Sequence, residues 1–167
     1  MSIDVSSLSV EQALSMAIQA EKDAAGVYAQ LKDRVRNFIM REKLDFLIGE
    51  ETKHERILAS LFEKLCPGQT PESGKSMAPR LKLAAEEDSS VLELLEQAME
   101  AEKVFEEFYD QLSDEVEERG AQEILQYLSS MEHSHYALLK GEYDLALNDE
   151  DYLDRGDFQY DMVHIGP

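Results

Sequence analysis

Four glutamates and two histidines interrupt stripes of residues that a helical protein would otherwise fill with hydrocarbon. Glu21 is flanked at helical spacing by Leu14, Ala17, Ile18, Ala24 and Tyr28, and Glu102 by Leu95, Ala98, Met99, Phe105 and Tyr109. Glu51 shares a face with Leu44, Leu47, Ile48 and Leu58, and Glu132 with Leu125, Leu128 and Leu139. His54 and His135 each follow three residues later on the same side. A single glutamate in so acidic a chain is ordinarily a solvated charge, which is how Glu11, Glu117 and Glu118 read. A lone histidine near an apolar face is ordinarily structural. The set requires another explanation, because burying four uncompensated carboxylates costs several kcal/mol per ion. Two divalent cations neutralise four glutamates, and two neutral imidazoles complete their coordination. Oxygen-rich ligands with one imidazole per metal suit iron or manganese, with zinc a possible occupant. A di-ferrous centre of this kind can give two electrons to dioxygen or peroxide.

Two copies of one helical unit must position these groups. The chain aligns with itself without a gap at the offset that carries Glu21 onto Glu102. Ala17, Ala20, Lys22, Tyr28, Gln30, Leu31, Asp33 and Val35 recur as Ala98, Ala101, Lys103, Tyr109, Gln111, Leu112, Asp114 and Val116. Glu42, Leu44, Leu47, Glu51, His54 and Leu58 then recur as Glu123, Leu125, Leu128, Glu132, His135 and Leu139. Apolar spacing of three and four without internal proline predicts a pair of long helices per copy. Ser9 with Gln12 and Ser90 with Glu93 have capping-box spacing, so each first helix is expected to start there. If Glu21 faces Glu51 across a hairpin, its turn falls near Arg36 and Asn37; the second falls near Glu117, with Gly120 as the helix breaker.

The predicted organisation is an all-α four-helix bundle over residues 1–147, with hairpins at about 9–65 and 90–147. The connector, 66–89, exceeds the ~2–8 residues that join adjacent helices, so it is expected to cross the bundle lengthwise, and it is long enough to do so even if Ala78 to Glu87 is partly helical. Residues 148–167 read as an acidic tail that packs on the surface or on another subunit.

One Glu from each of two helices and a Glu-x-x-His from each of the other two is the di-metal carboxylate pattern of four-helix bundles. Through AIQAEKDAAGVY and ETKH in the first copy, and AMEAEKVFEEFY and EHSH in the second, the sequence resembles the rubrerythrin branch of the ferritin-like superfamily from about Ser9 to Leu147. That resemblance implies a ferritin-like bundle holding two Fe ions on Glu21, Glu51, His54, Glu102, Glu132 and His135. Glu51 and Glu132 would be the bridges, and Tyr28 and Tyr109 phenols bonded to ligand carboxylates, unless they are ordinary core tyrosines. It further implies an oxidoreductase that reduces hydrogen peroxide or dioxygen; alternatives are a ferroxidase in iron handling, or a non-catalytic metal-binding or scaffold protein. Two departures stand out. Rubrerythrins commonly carry a further glutamate where this chain has Phe105, with Glu106 the nearest substitute. They also typically carry a rubredoxin module, which the single Cys66 cannot build, so an external electron donor is expected.

Composition sets the outer limits. The 167 residues, 43% hydrophobic, suffice for one domain with a core. A net charge of −20 disfavours nucleic acid and anionic lipid and favours cations. Met1 to Val10 lack a basic start before an apolar stretch, and no run approaches ~18 apolar residues, so a cytoplasmic protein outside the membrane is expected. A homodimer or higher homo-oligomer is the expected assembly. His133 points roughly 100° away from Glu132 on a helix and is expected outside the cluster. Cys66 reads as a free thiol, and His164 as part of the solvated tail.

Overall fold

Ser9 and Ser90 start the first helix of each repeat with the same reciprocal device. Each hydroxyl accepts from the backbone N–H three residues on, and the Gln12 or Glu93 side chain accepts from the serine's own N–H. The computed structural model describes residues 3–72, 89–149 and 151–156. After a short 3-10 turn at Val5–Ser7, four helices follow: α1 (Val10–Arg34), α2 (Phe38–Leu65), α3 (Val91–Glu115) and α4 (Arg119–Asn148). There is no strand among the described residues, and the molecule is an all-α four-helix bundle.

The first turn falls at Val35 to Asn37, and the Asn37 side chain caps α2 by accepting from the Met40 N–H at 3.0 Å. The second falls at Val116 to Glu118, around Glu117 as expected, but Gly120 is not its breaker. The chain leaves α3 after Glu115 and re-enters at Arg119, so Gly120 lies inside the first turn of α4 and breaks nothing. Glu118 ends the turn instead, accepting from the N–H groups of Gly120 (3.1 Å) and Ala121 (2.8 Å). Gly120 serves this cap by lacking a side chain: a Cβ there would stand 3.0 Å from a Glu118 carboxylate oxygen. Glu118 is exposed at the surface as its sequence context suggests, and Lys64 followed by the Gly120 N–H holds its carboxyl below the usual range.

Cross-helix pairs fix the direction of every neighbour. Lys32 meets Asp45 and Lys22 meets Glu55 across α1 and α2, and Glu96 meets Tyr143 while Glu106 meets Ser129 across α3 and α4. Tyr28 bonds Glu102 and Tyr109 bonds Glu21 across α1 and α3; Lys43 meets Glu142 and Glu51 meets His135 across α2 and α4. In each set, numbers rise on one helix as they fall on the other, so all four neighbouring pairs are antiparallel. This order places the two described ends of the connector at opposite ends of the bundle. The Glu72 N–H reaches the Ser15 hydroxyl near the start of α1, whereas the Arg34 guanidinium at its end reaches the Ser89 carbonyl. Those anchors stand about 28 Å apart along α1 at ~1.5 Å per residue. Ala78 to Glu87 and His164 lie outside the described residues.

Past α4 the chain folds back on its own bundle. The Leu153 carbonyl accepts from the N–H groups of Arg36 (2.9 Å) and Asn37 (3.1 Å), and the Asn37 amide donates to the Tyr152 carbonyl. The Tyr152 hydroxyl donates at 2.6 Å to Glu142, a buried carboxylate whose other oxygen pairs with Lys43. Tyr152→Phe is therefore expected to lower stability by about 1–2 kcal/mol, since one bond to a buried charged group is lost. Urea unfolding checks this, and an unchanged midpoint would show that the latch contributes nothing.

Candidate metal centre

Each of the six polar residues sits on the buried stripe of its helix. Glu21, Glu102 and Glu132 are fully buried, and Glu51, His54 and His135 are 1% exposed. α1 and α3 supply one glutamate each, and α2 and α4 each supply a glutamate and a histidine one turn apart. His54 Nδ1 lies 3.0 Å from Glu132 Oε1, 3.2 Å from Glu51 Oε2 and 3.7 Å from Glu21 Oε2. His135 Nδ1 repeats the pattern, 3.0 Å from Glu51 Oε1, 3.5 Å from Glu132 Oε2 and 3.8 Å from Glu102 Oε2. Glu51 and Glu132 thus each turn one oxygen to either histidine. Glu21 belongs to the first half alone and Glu102 to the second. The two imidazoles stack with centroids 5.3 Å apart.

These groups approach one another without satisfying one another. The buried side-chain polar atoms that lack a hydrogen-bond partner among the described residues all belong to these six residues. They include both oxygens of Glu51 and Glu132, Oε2 of Glu21 and Glu102, and both nitrogens of each histidine. Nitrogen and oxygen at 3.0 Å with no hydrogen bond between them are aimed past each other, as ligand atoms around a common third body would be. Four of the residues, Glu51, His54, Glu132 and His135, offer ligand atoms that all lie within 4.8 Å of one another. This donor set fits the divalent metal ions that the sequence calls for.

The outer oxygens of Glu21 and Glu102 are held. Tyr109 on α3 donates to Glu21 Oε1 on α1, and Tyr28 on α1 donates to Glu102 Oε1 on α3. The resemblance implies phenols bonded to ligand carboxylates, with ordinary core tyrosines as the alternative; that each phenol crosses to the other repeat follows from the antiparallel packing. Tyr109 remains a neutral donor, because burial and then Glu21 push its pKa far up. Tyr109→Phe is expected to weaken metal binding about tenfold, the low end for loss of an outer partner. Competition with a chromophoric chelator measures it, and unchanged affinity would reduce the phenol to packing.

Without cations the cluster conserves charge through protons. Burial, then the Glu132 charge, raises the Glu21 and Glu102 carboxyls well above the ordinary range. Burial alone would depress the histidines, but the carboxylates around them win, Glu132 first, pushing His54 to about 12 and His135 to about 9. Burial would raise Glu132, but His135 and His54 draw it down to about 2.

Neighbouring polar groups stay outside. His133 is exposed and pairs at 3.1 Å with Glu106, which therefore turns to the surface and supplies no carboxylate in place of the buried Phe105. Cys66 is a free, buried thiol at the end of α2. Among the described residues, no helix is long and apolar enough to cross a membrane.

Comparison with known proteins agrees with this architecture. No curated protein matches the chain. A solved structure of a hypothetical protein from Pyrococcus furiosus is 34% identical, covering 87% of this chain and 94% of that one, with a TM-score of 0.80. The family model described as Rubrerythrin matches residues 12–143, across all four helices and the whole glutamate and histidine cluster. The chain belongs to the rubrerythrin family.

Proposed function

We propose that Glu21, Glu51, His54, Glu102, Glu132 and His135 hold two ferrous ions, and that the protein is an oxidoreductase reducing hydrogen peroxide or dioxygen. The observation that carries this reading is the division of oxygens. One oxygen of Glu21 and of Glu102 is occupied by a phenol while the other is left bare toward a histidine, and Glu51 and Glu132 leave one bare oxygen for each histidine. Glu51 and Glu132 would bridge, and each histidine would bind through Nδ1. Iron supplies two one-electron steps at adjacent sites. The protein's part is to exclude water with the surrounding leucines, to fix the carboxylates through Tyr28 and Tyr109, and to keep a proton on each phenol oxygen. Cys66, the single cysteine of these 167 residues, cannot build a rubredoxin iron site here, so the proposed electron donor lies outside this stretch of sequence.

Stopped-flow mixing of the Fe(II)-loaded protein with equal concentrations of hydrogen peroxide and dioxygen tests this. Faster oxidation by peroxide is expected, and His54→Ala should slow it. Faster oxidation by dioxygen would favour a ferroxidase. No oxidation by either would leave a non-catalytic metal-binding protein.

A further inference from the structure

The two halves of the cluster repeat residue for residue in their six polar groups, yet they differ one turn beyond the first glutamate. Ala24 follows Glu21, whereas the equivalent residue after Glu102 is Phe105. Both are buried, at 3% and 0% exposure. The two phenol bonds fix the register of α1 against α3: Tyr28 lies level with Glu102 and Tyr109 with Glu21. Midway between these bonds, the inward residue of α1 is Ala24 and that of α3 is Phe105, so the two stand opposite each other. At that level α3 presents a large side chain and α1 a methyl group.

This level lies on the α1 and α3 side of the cluster, which carries fewer candidate ligand atoms than the α2 and α4 side. Both histidines and both shared glutamates come from α2 and α4, and their stacked rings and carboxylates fill that side. α1 and α3 contribute one carboxylate each, with its outer oxygen tied to a phenol. We propose that Phe105 is a specificity-determining wall, its ring set over Ala24 between the two phenol–carboxylate pairs, that admits hydrogen peroxide and dioxygen and excludes hydroperoxides bearing an aryl or alkyl group. The inference rests on the di-iron reading above. In the reaction concerned, the O–O bond of a hydroperoxide breaks, two Fe(II) each lose one electron, and two protons are taken up to give an alcohol and water.

The test uses the full chain, first analysed for bound metal. Co(II)-loaded protein is titrated with benzoate while its visible spectrum is followed. Fe(II)-loaded protein is mixed in stopped flow with hydrogen peroxide and with cumene hydroperoxide. Wild type is expected to show no benzoate-dependent spectral change. Phe105→Ala should show a saturable one and raise the rate with cumene hydroperoxide relative to hydrogen peroxide about tenfold or more, on the scale of hydrophobic pocket discrimination. The double variant Ala24→Phe/Phe105→Ala, which supplies the ring from α1, should restore exclusion. Phe62→Ala removes an equally buried ring about 12 Å along α2 from His54 and should behave as wild type. If Phe105→Ala does not fold, Phe105→Leu should move both readouts in the same direction by less. A benzoate response in wild type, or an unchanged hydroperoxide ratio in metal-loaded Phe105 variants, would overturn the wall. Absence of bound metal would instead overturn the di-iron reading, and if iron binds but no peroxide reacts, the cobalt titration still decides the wall.

Discussion

Glu51→Ala is expected to reduce bound metal from about two ions per chain to fewer than one, because in the proposed centre four buried carboxylates would balance two divalent ions and this one would serve both. Its Oε1 stands 3.0 Å from His135 Nδ1 and its Oε2 3.2 Å from His54 Nδ1, so deletion removes a donor from both positions. Glu21→Ala should lose about one ion, since Glu21 Oε2 faces His54 alone at 3.7 Å. Glu118→Ala provides the control: it removes a helix cap and the Lys64 pair at the far turn, and should leave the stoichiometry intact. Metal analysis after anaerobic loading and desalting reads all three. Equal metal content in Glu51→Ala and Glu118→Ala would place the metals outside this cluster.

The helices and the buried glutamates were legible in the sequence for one physical reason. A carboxylate within an apolar stripe conflicts with the hydrophobic pattern, and the duplication shows the conflict four times at matching positions. The Ser9 and Ser90 caps were equally readable, because their chemistry is local. What the sequence left open depends on contacts between distant segments. Gly120 suggested a break, yet the deciding residue is Glu118, whose capping role depends on how its side chain folds over the α4 terminus. The crossing of Tyr28 to Glu102 and Tyr109 to Glu21 requires the register of α1 on α3. Glu142 gave no sign of burial, because its partners Lys43 and Tyr152 come from the opposite hairpin and from beyond α4. Glu106 sits beside Phe105 in sequence but points to His133, a difference fixed by which side of α3 meets the core.

Metal loading should stabilise the protein, and the gain should widen as pH rises from about 5 to 8, because protons and cations compete for the same atoms. In the metal-free fold, Glu21 and Glu102 have raised pKa values, and His54 and His135 are raised to about 12 and about 9. All four groups hold protons more tightly folded than unfolded, where carboxyls titrate near 4.5 and imidazoles near 6.5. Stability of the metal-free protein from these groups is thus fully present below the unfolded values and is lost as pH rises through the folded ones. Glu132 acts in the opposite sense, but its folded pKa of about 2 confines its effect to acid. With metals bound, the native ligands carry no proton while unfolded histidines still do up to about 6.5, so stability of the loaded form rises with pH to that point and then levels. Binding of two ions should accordingly release up to about four protons. Melting curves with and without Mn(II) across this range, with proton release followed in weakly buffered solution, check both statements. A stabilisation that shrinks with pH, or binding without proton release, would show that Glu21, Glu102, His54 and His135 are not the groups the metals displace protons from.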